Sequence, residues 1–215
     1  MTFSVIAHCA ATGRIGVATA SASLAVGARC PHARSHAGAV TTQNRTDPGL
    51  GPLILDQLEN GLDAASALEL VLRDASFPEW RQLAVLDRHG RFATHHGARC
   101  SGTHAEARGR DVVAVGNLLA SETVPAAMVA AFERNGTGTL QDRLLAALAA
   151  GLDAGGEIRP LRSAALLVVA GDPFPHTDLR VDHDPLPLGA LAGLWRAWAP
   201  EAETCRRWAL DPYGA

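Results

Sequence analysis

The chain has 215 residues, 47% hydrophobic and 19% charged, enough for one well-buried core and too short for two full-sized ones, so residues 1–215 are read as a single domain. A formal net charge of -3 offers no basic excess for phosphate backbones, which argues against nucleic acid as a partner. All 19 residues counted as Lys or Arg are Arg, and the absence of lysine excludes Schiff-base chemistry, a P-loop lysine and a Ser-Lys dyad.

In chain order, residues 3–9 (FSVIAHC) and 15–23 (IGVATASAS) are β-rich runs flanking Ala-Ala-Thr-Gly-Arg, a hairpin signal in which Gly13 supplies the permissive backbone. Both runs are small or apolar on both faces, as in a sheet covered on each side. A third run, 37–43, ends before the breaker Asp47-Pro48-Gly49, and helices are predicted over 53–60 and from just after Asp63. A second hairpin joins 82–87 to 91–95, and 112–115 is another strand. The amphipathic segments 124–133 and 140–152 make a second helix pair around Asn-Gly-Thr-Gly. Residues 163–170 form a buried strand, 179–181 a short edge strand, and 186–198 a closing helix.

Two helix pairs interleaved with roughly seven two-sided strands point to an α+β protein, with sheets between helices in a four-layer αββα sandwich. Strands arrive in hairpins before any helix and G-x-G-x-x-G is absent, which argues against a doubly wound dinucleotide fold, and no cofactor is assigned. The opening MTFSVIAHC lacks the positive region of a signal peptide, and the apolar runs fall short of the roughly 20 residues of a membrane helix. The expectation is a cytoplasmic protein that does not engage a membrane. Its four cysteines, at 9, 30, 100 and 205, contain no C-x-x-C pair and are read as reduced.

Position two carries the strongest chemical clue. A small residue after the initiator Met favours its removal, which would leave Thr2 at the terminus with its own α-amino group as a base for its hydroxyl. Pairing Ala10 with Ile15 across the hairpin places Thr2 opposite Ser23, with Ser21 two positions along on the same face. Both serines are candidates to polarise Thr2 or relay its proton.

The chain resembles the bacterial domain of unknown function 1028 family, placed in the N-terminal nucleophile (Ntn) hydrolase superfamily. The resemblance lies in Thr2-Phe3-Ser4-Val5, Gly16-Val17-Ala18, Ala25-Val26-Gly27-Ala28, Gly38-Ala39-Val40 before Thr42-Gln43, Gly97-Ala98-Arg99-Cys100, Val115-Gly116-Asn117 and Ser163-Ala164-Ala165-Leu166-Leu167-Val168-Val169. It implies an Ntn-type αββα sandwich, homo-oligomers, and an amide-cleaving hydrolase with Thr2 as nucleophile. The expected substrate is a small linear amide or ureido compound. The chain departs from the family pattern at Ser21-Ala22-Ser23-Leu24, where Arg and aromatic residues are frequent, and at Arg162, where Gln is common; both positions are candidates to line the pocket.

An oxyanion hole is placed at the end of the strand, where Gly116 permits close backbone approach and Asn117 offers a side-chain N–H. Arg99 is the candidate for binding a substrate carboxylate, with Gln43 and Arg162 as further substrate contacts. His95, His96, Cys100 and His104 are zinc-ligand types, but in a strand the first two point to opposite faces and the spacing matches no established zinc site, so no metal is assigned. Trp195 and Trp198 lie near one helix face and are expected to seal the core or a subunit contact. A non-catalytic binding protein on the same fold and a peptide or cell-wall amidase are the alternatives.

Overall fold

The computed structural model describes residues 2–214. Ten strands and five α-helices are formed among them: Thr2–Cys9 (β1), Arg14–Ser21 (β2), Pro31–Arg34 (β3), Gly38–Asn44 (β4), Leu50–Glu59 (α1), Ala64–Asp74 (α2), Arg81–Asp87 (β5), Phe92–His96 (β6), His104–Gly109 (β7), Val112–Asn117 (β8), Val124–Arg134 (α3), Leu140–Asp153 (α4), Ser163–Val169 (β9), Thr177–Val181 (β10) and Pro187–Leu210 (α5). The strands make two antiparallel sheets, ordered β10-β9-β2-β1-β8-β7 and β3-β4-β5-β6.

The period-two alternation of the strands sorts the core. Phe3, Val5 and Ala7 of β1 pack with Ala18, Ala20, Val112 and Ala114 against Met128, Phe132, Leu144 and Leu148 of α3 and α4. On the other face of the same sheet, Ile6, Val17 and Val113 meet Ala39, Ala84 and Leu86 of the four-stranded sheet. Beyond that sheet, Val40, Leu83 and Val85 pack on Ile54, Leu58 and Leu68 of α1 and α2. Gly16 allows the close approach of α4 to β2: a Cβ there would lie 2.7 Å from Leu144 Cδ1 and 2.9 Å from Val168 Cγ2, and those side chains would have to move.

The Asp63 carboxylate caps α2 by accepting from Ser66 N at 2.8 Å, which fixes the helix start that the sequence placed there. Three local readings are corrected. The first hairpin pairs Cys9 with Arg14, one residue earlier than expected on each strand, because Thr12 N and Gly13 N both close on Cys9 O and Gly13 takes φ +67° just before β2. Strands β3 and β7 are not among the elements predicted from the sequence; both carry charged or polar side chains at sheet edges, where the apolar alternation is weakest. Helix α5 runs twelve residues past the expected end at Trp198 and through Pro200. An Arg206–Asp172 fork, with Nε 2.5 Å from Oδ2, ties this extension to the body. No helix among the described residues is long and apolar enough to cross a membrane.

Candidate functional site

β1 lies between β2 and β8, so Thr2 at its head is held from both sides and is 4% exposed. Its Cα partner on β8 is Asn117. On the β2 side, the corrected register puts Ser21 beside it: Thr2 Oγ1 donates to Ser21 Oγ at 3.2 Å, and Ser21 Oγ also accepts from Ser23 N at 3.0 Å. The expected opposition of Thr2 and Ser23 is therefore replaced by Thr2 and Ser21. Ser23 lies beyond the end of β2, in the bend that follows it, and still lines the same cavity as Thr2. Removal of Met1 concerns a residue outside those described.

Beneath Thr2 the two sheets are joined by polar side chains rather than apolar ones. Ser4 Oγ lies 2.8 Å from Thr19 Oγ1 and 2.7 Å from Gln43 Oε1. Gln43 Nε2 donates to Gln82 Oε1 at 2.8 Å and to the Thr2 carbonyl at 3.3 Å. Gln82 is saturated: its Oε1 also accepts from Asn117 Nδ2 at 2.8 Å, while its Nε2 donates to Gly116 O at 2.8 Å and His96 Nδ1 at 3.0 Å. With Nδ1 accepting, the neutral His96 ring carries its proton on Nε2 and donates it to Glu106 Oε2 at 3.0 Å. Burial lowers the His96 pKa, in keeping with that neutral form. Burial raises that of Glu106, but hydrogen bonds from Thr94, Arg108 and His96 outweigh it and hold the carboxyl below its usual range.

This network redefines two sequence-predicted sites. Gln43 is fully buried between the sheets, does not line the cavity at Thr2, and donates to the Thr2 carbonyl. Asn117 is fully buried, its amide nitrogen is turned to Gln82, and its Oδ1 has no partner among the described residues; Gly116 gives its carbonyl to Gln82. Neither residue lines the cavity at Thr2.

That cavity has a volume of about 340 Å³. Thr2 and Ser23 form one wall, and Arg29, Asn44, Arg45 and Arg81 form much of the remainder. Arg99 is not in the wall: its guanidinium lies 5.4 Å from the centre of the Trp80 ring, the same ring that Arg45 covers at 5.5 Å. Arg162 is exposed and outside the cavity, and reaches the site only through its backbone, whose N–H donates to Ser21 O at 2.8 Å.

Two residues absent from the sequence-based set shape the wall. Ser163, opposite Ser21 on β9, donates from Oγ to Ser23 O at 2.6 Å and accepts from Val26 N at 3.1 Å, pinning the segment that leaves β2. Glu157, buried after α4, accepts from Ala22 N through Oε2 at 2.9 Å, while its Oε1 has no partner among the described residues. Burial pushes its pKa up to about 7, against the opposing pull of the Ala22 N–H. Ser163 opens one of the segments that carry the family resemblance, whereas Glu157 has no local motif; each is brought to the site from a distant part of the chain.

The His/Cys group is dispersed. His95 is within 2.9 Å of Pro78 O, His96 belongs to the inter-sheet network, and His104 is stacked on His96 with centroids 5.7 Å apart. Among the described residues no three His, Cys, Asp or Glu side chains converge as a metal ion would require. Burial raises the Cys100 thiol to about 11, far from the thiolate that a cysteine nucleophile needs.

The fold and site thus define a mixed α+β protein of two antiparallel sheets, with a threonine heading the central hairpin above a buried polar network. Residues 2–191 match a family of unknown function, DUF1028, and the chain belongs to that family. It is similar to the crystal structure of protein SPO2555 from Silicibacter pomeroyi, assigned to the same family: 34% identity, 92% of this chain and 88% of that chain covered, TM-score 0.85. Anbu (ancestral beta-subunit) from Yersinia bercovieri aligns over 92% of this chain and 96% of its own at 10% identity, with a TM-score of 0.42. No curated protein matches the sequence.

Proposed function

We propose that this protein is an amidohydrolase of the N-terminal nucleophile type, built as an αββα sandwich, that cleaves a small linear amide with Thr2 once Met1 has been removed. One observation carries the reading: the Thr2 hydroxyl stands at a cavity wall, hydrogen-bonded to Ser21, while its carbonyl is held from below by Gln43. An ordinary strand terminus needs no such support. The helix–sheet–sheet–helix order of the three core clusters is consistent with the same reading.

In the reaction, the freed α-amino group takes the Oγ proton as Oγ attacks the amide carbonyl. The tetrahedral intermediate collapses with the C–N bond breaking, and the proton passes to the leaving amine. Water, deprotonated by the Thr2 α-amino group, then attacks the Thr2 ester, and that proton returns to Oγ as the acid is released. Ser21 is placed to orient Oγ throughout, and Ser163 and Glu157 hold the backbone around it.

The test begins with the intact mass of protein from its native host, where loss of one methionine is expected. Processed protein is then screened on linear amides and treated with a β-lactone, with the adduct located by peptide mapping. Acylation at Thr2, together with a loss of at least about 10³-fold in kcat/KM for Thr2→Ala, supports the mechanism. Retention of Met1, or full activity in Thr2→Ala, overturns it.

A further inference from the structure

The cavity at Thr2 is strongly cationic in a protein whose formal charge is -3. Arg29, Arg45 and Arg81 all reach its wall. Neutral groups make most of their contacts: Arg29 donates to Leu24 O at 2.8 Å, Arg45 lies on Trp80, and Arg81 donates to Ser76 O at 3.0 Å and to Arg45 O. Among the described residues the carboxylate that approaches any of the three is Asp47, 3.8 Å from Arg81. The Arg81 side chain is 12% exposed and its Nε is buried without a partner. Three guanidiniums against the one carboxylate paired with Arg81 leave net positive charge in the wall that Thr2 shares. Arg45 is exposed and Arg29 half-buried, so both guanidiniums are open to an incoming anion, and the planar fork of Arg matches a carboxylate.

We propose that this cavity binds an amide that carries a carboxylate, of the N-acyl amino acid class, with the carboxylate on Arg45 and Arg29 and the scissile carbonyl toward Thr2. The placement of the carbonyl rests on the reading of Thr2 as nucleophile; the binding of the anion does not. Arg81 acts as the brace, since its NH groups are already committed to Arg45 O and Ser76 O. At about 340 Å³ the space is near the lower end of ligand pockets, which suits a small acid.

Binding is separated from turnover by using Thr2→Ala protein. Calorimetric titration with N-acetylglycine, N-acetylalanine, N-acetylaspartate and N-acetylphenylalanine, each against its methyl ester, reads the carboxylate contribution directly. At least one acid is expected to bind about tenfold or more tightly than its ester. That preference should disappear in Arg45→Gln and Arg29→Gln and persist in Arg110→Gln, which lies on the β7–β8 turn outside the cavity. Thermal melts of each variant establish that it is folded. Equal affinity for acid and ester, no acid binding at millimolar concentration, or an undiminished preference in the folded Arg29/Arg45 double variant overturns the proposal. Acid binding in Thr2→Ala with no hydrolysis of the bound acids by processed wild-type protein sinks the nucleophile reading and leaves the anion site standing.

Discussion

The layer between the two sheets has two halves that obey the same geometry and carry opposite chemistry. Toward the β1–β2 turn, inward residues are Ile6, Ile15, Val17, Leu86 and Val113, an apolar contact that water does not enter. Toward the strand ends near Thr2, the same alternation brings in Ser4, Thr19, Ser21, Gln43, Gln82 and Asn117, all fully buried. Apolar packing is tolerant of small displacements, whereas amides that share donors and acceptors are directional. Both halves join the sheets; the second also holds backbone carbonyls in defined positions, that of Thr2 among them.

Substitutions in the two halves are expected to separate stability from function. The largest stability effect is predicted for Ile6→Ala, about 2–5 kcal/mol from lost burial and a residual cavity, with kcat per folded molecule little changed. Urea titration and active-site counting test this together. Gln82→Leu strands the amides of Gln43 and Asn117 and the Gly116 carbonyl, for a cost of about 2–4 kcal/mol, and unlike Ile6→Ala it should also lower activity, because Gln43 loses the partner that orients it toward Thr2. Activity falling no further than the folded fraction would show that the polar half is only structural. Ser21→Ala removes the acceptor for Thr2 Oγ1 and Ser23 N; it should cost about 1 kcal/mol in stability yet slow turnover roughly tenfold.

The effect expected from Glu157 is on stability and is read through pH. Because its pKa is raised to about 7, the folded chain retains a proton that the unfolded chain releases near its ordinary value of ~4.3. Stability from this group is therefore present at low pH, falls as pH rises through the interval between those values, and levels off above about 7. Glu157→Gln should flatten that slope while the Gln carbonyl keeps the Ala22 N–H. Denaturant midpoints of the two proteins from pH 4 to 8 provide the comparison, and parallel curves would remove Glu157 as the source.

Much of this organisation is legible along the chain. Alternation fixes which residues of β1 and β2 share a face, Gly13 marks the hairpin, and Asp63 marks a helix start, because each is a local demand of backbone geometry or hydrogen bonding. Register is harder: a hairpin closed one residue earlier exchanges Ser23 for Ser21 beside Thr2 without disturbing the alternation, so the pattern cannot discriminate between them. The edge strands β3 and β7 escape notice because half-exposed polar side chains meet no demand for apolar periodicity.

The sequence alone therefore determined the two-sided strands, the paired helices, the family and the prominence of Thr2, all consequences of local pattern and residue type. Only the tertiary structure decided that Gln43 donates to the Thr2 carbonyl, that Asn117 turns to Gln82, that Arg99 rests on Trp80, and that Arg29, Arg45 and Arg81 line the cavity that Thr2 shares. Those relations join strands and loops tens of residues apart, and a side chain's partners across two sheets depend on how the sheets are laid on each other, which no spacing within one strand encodes.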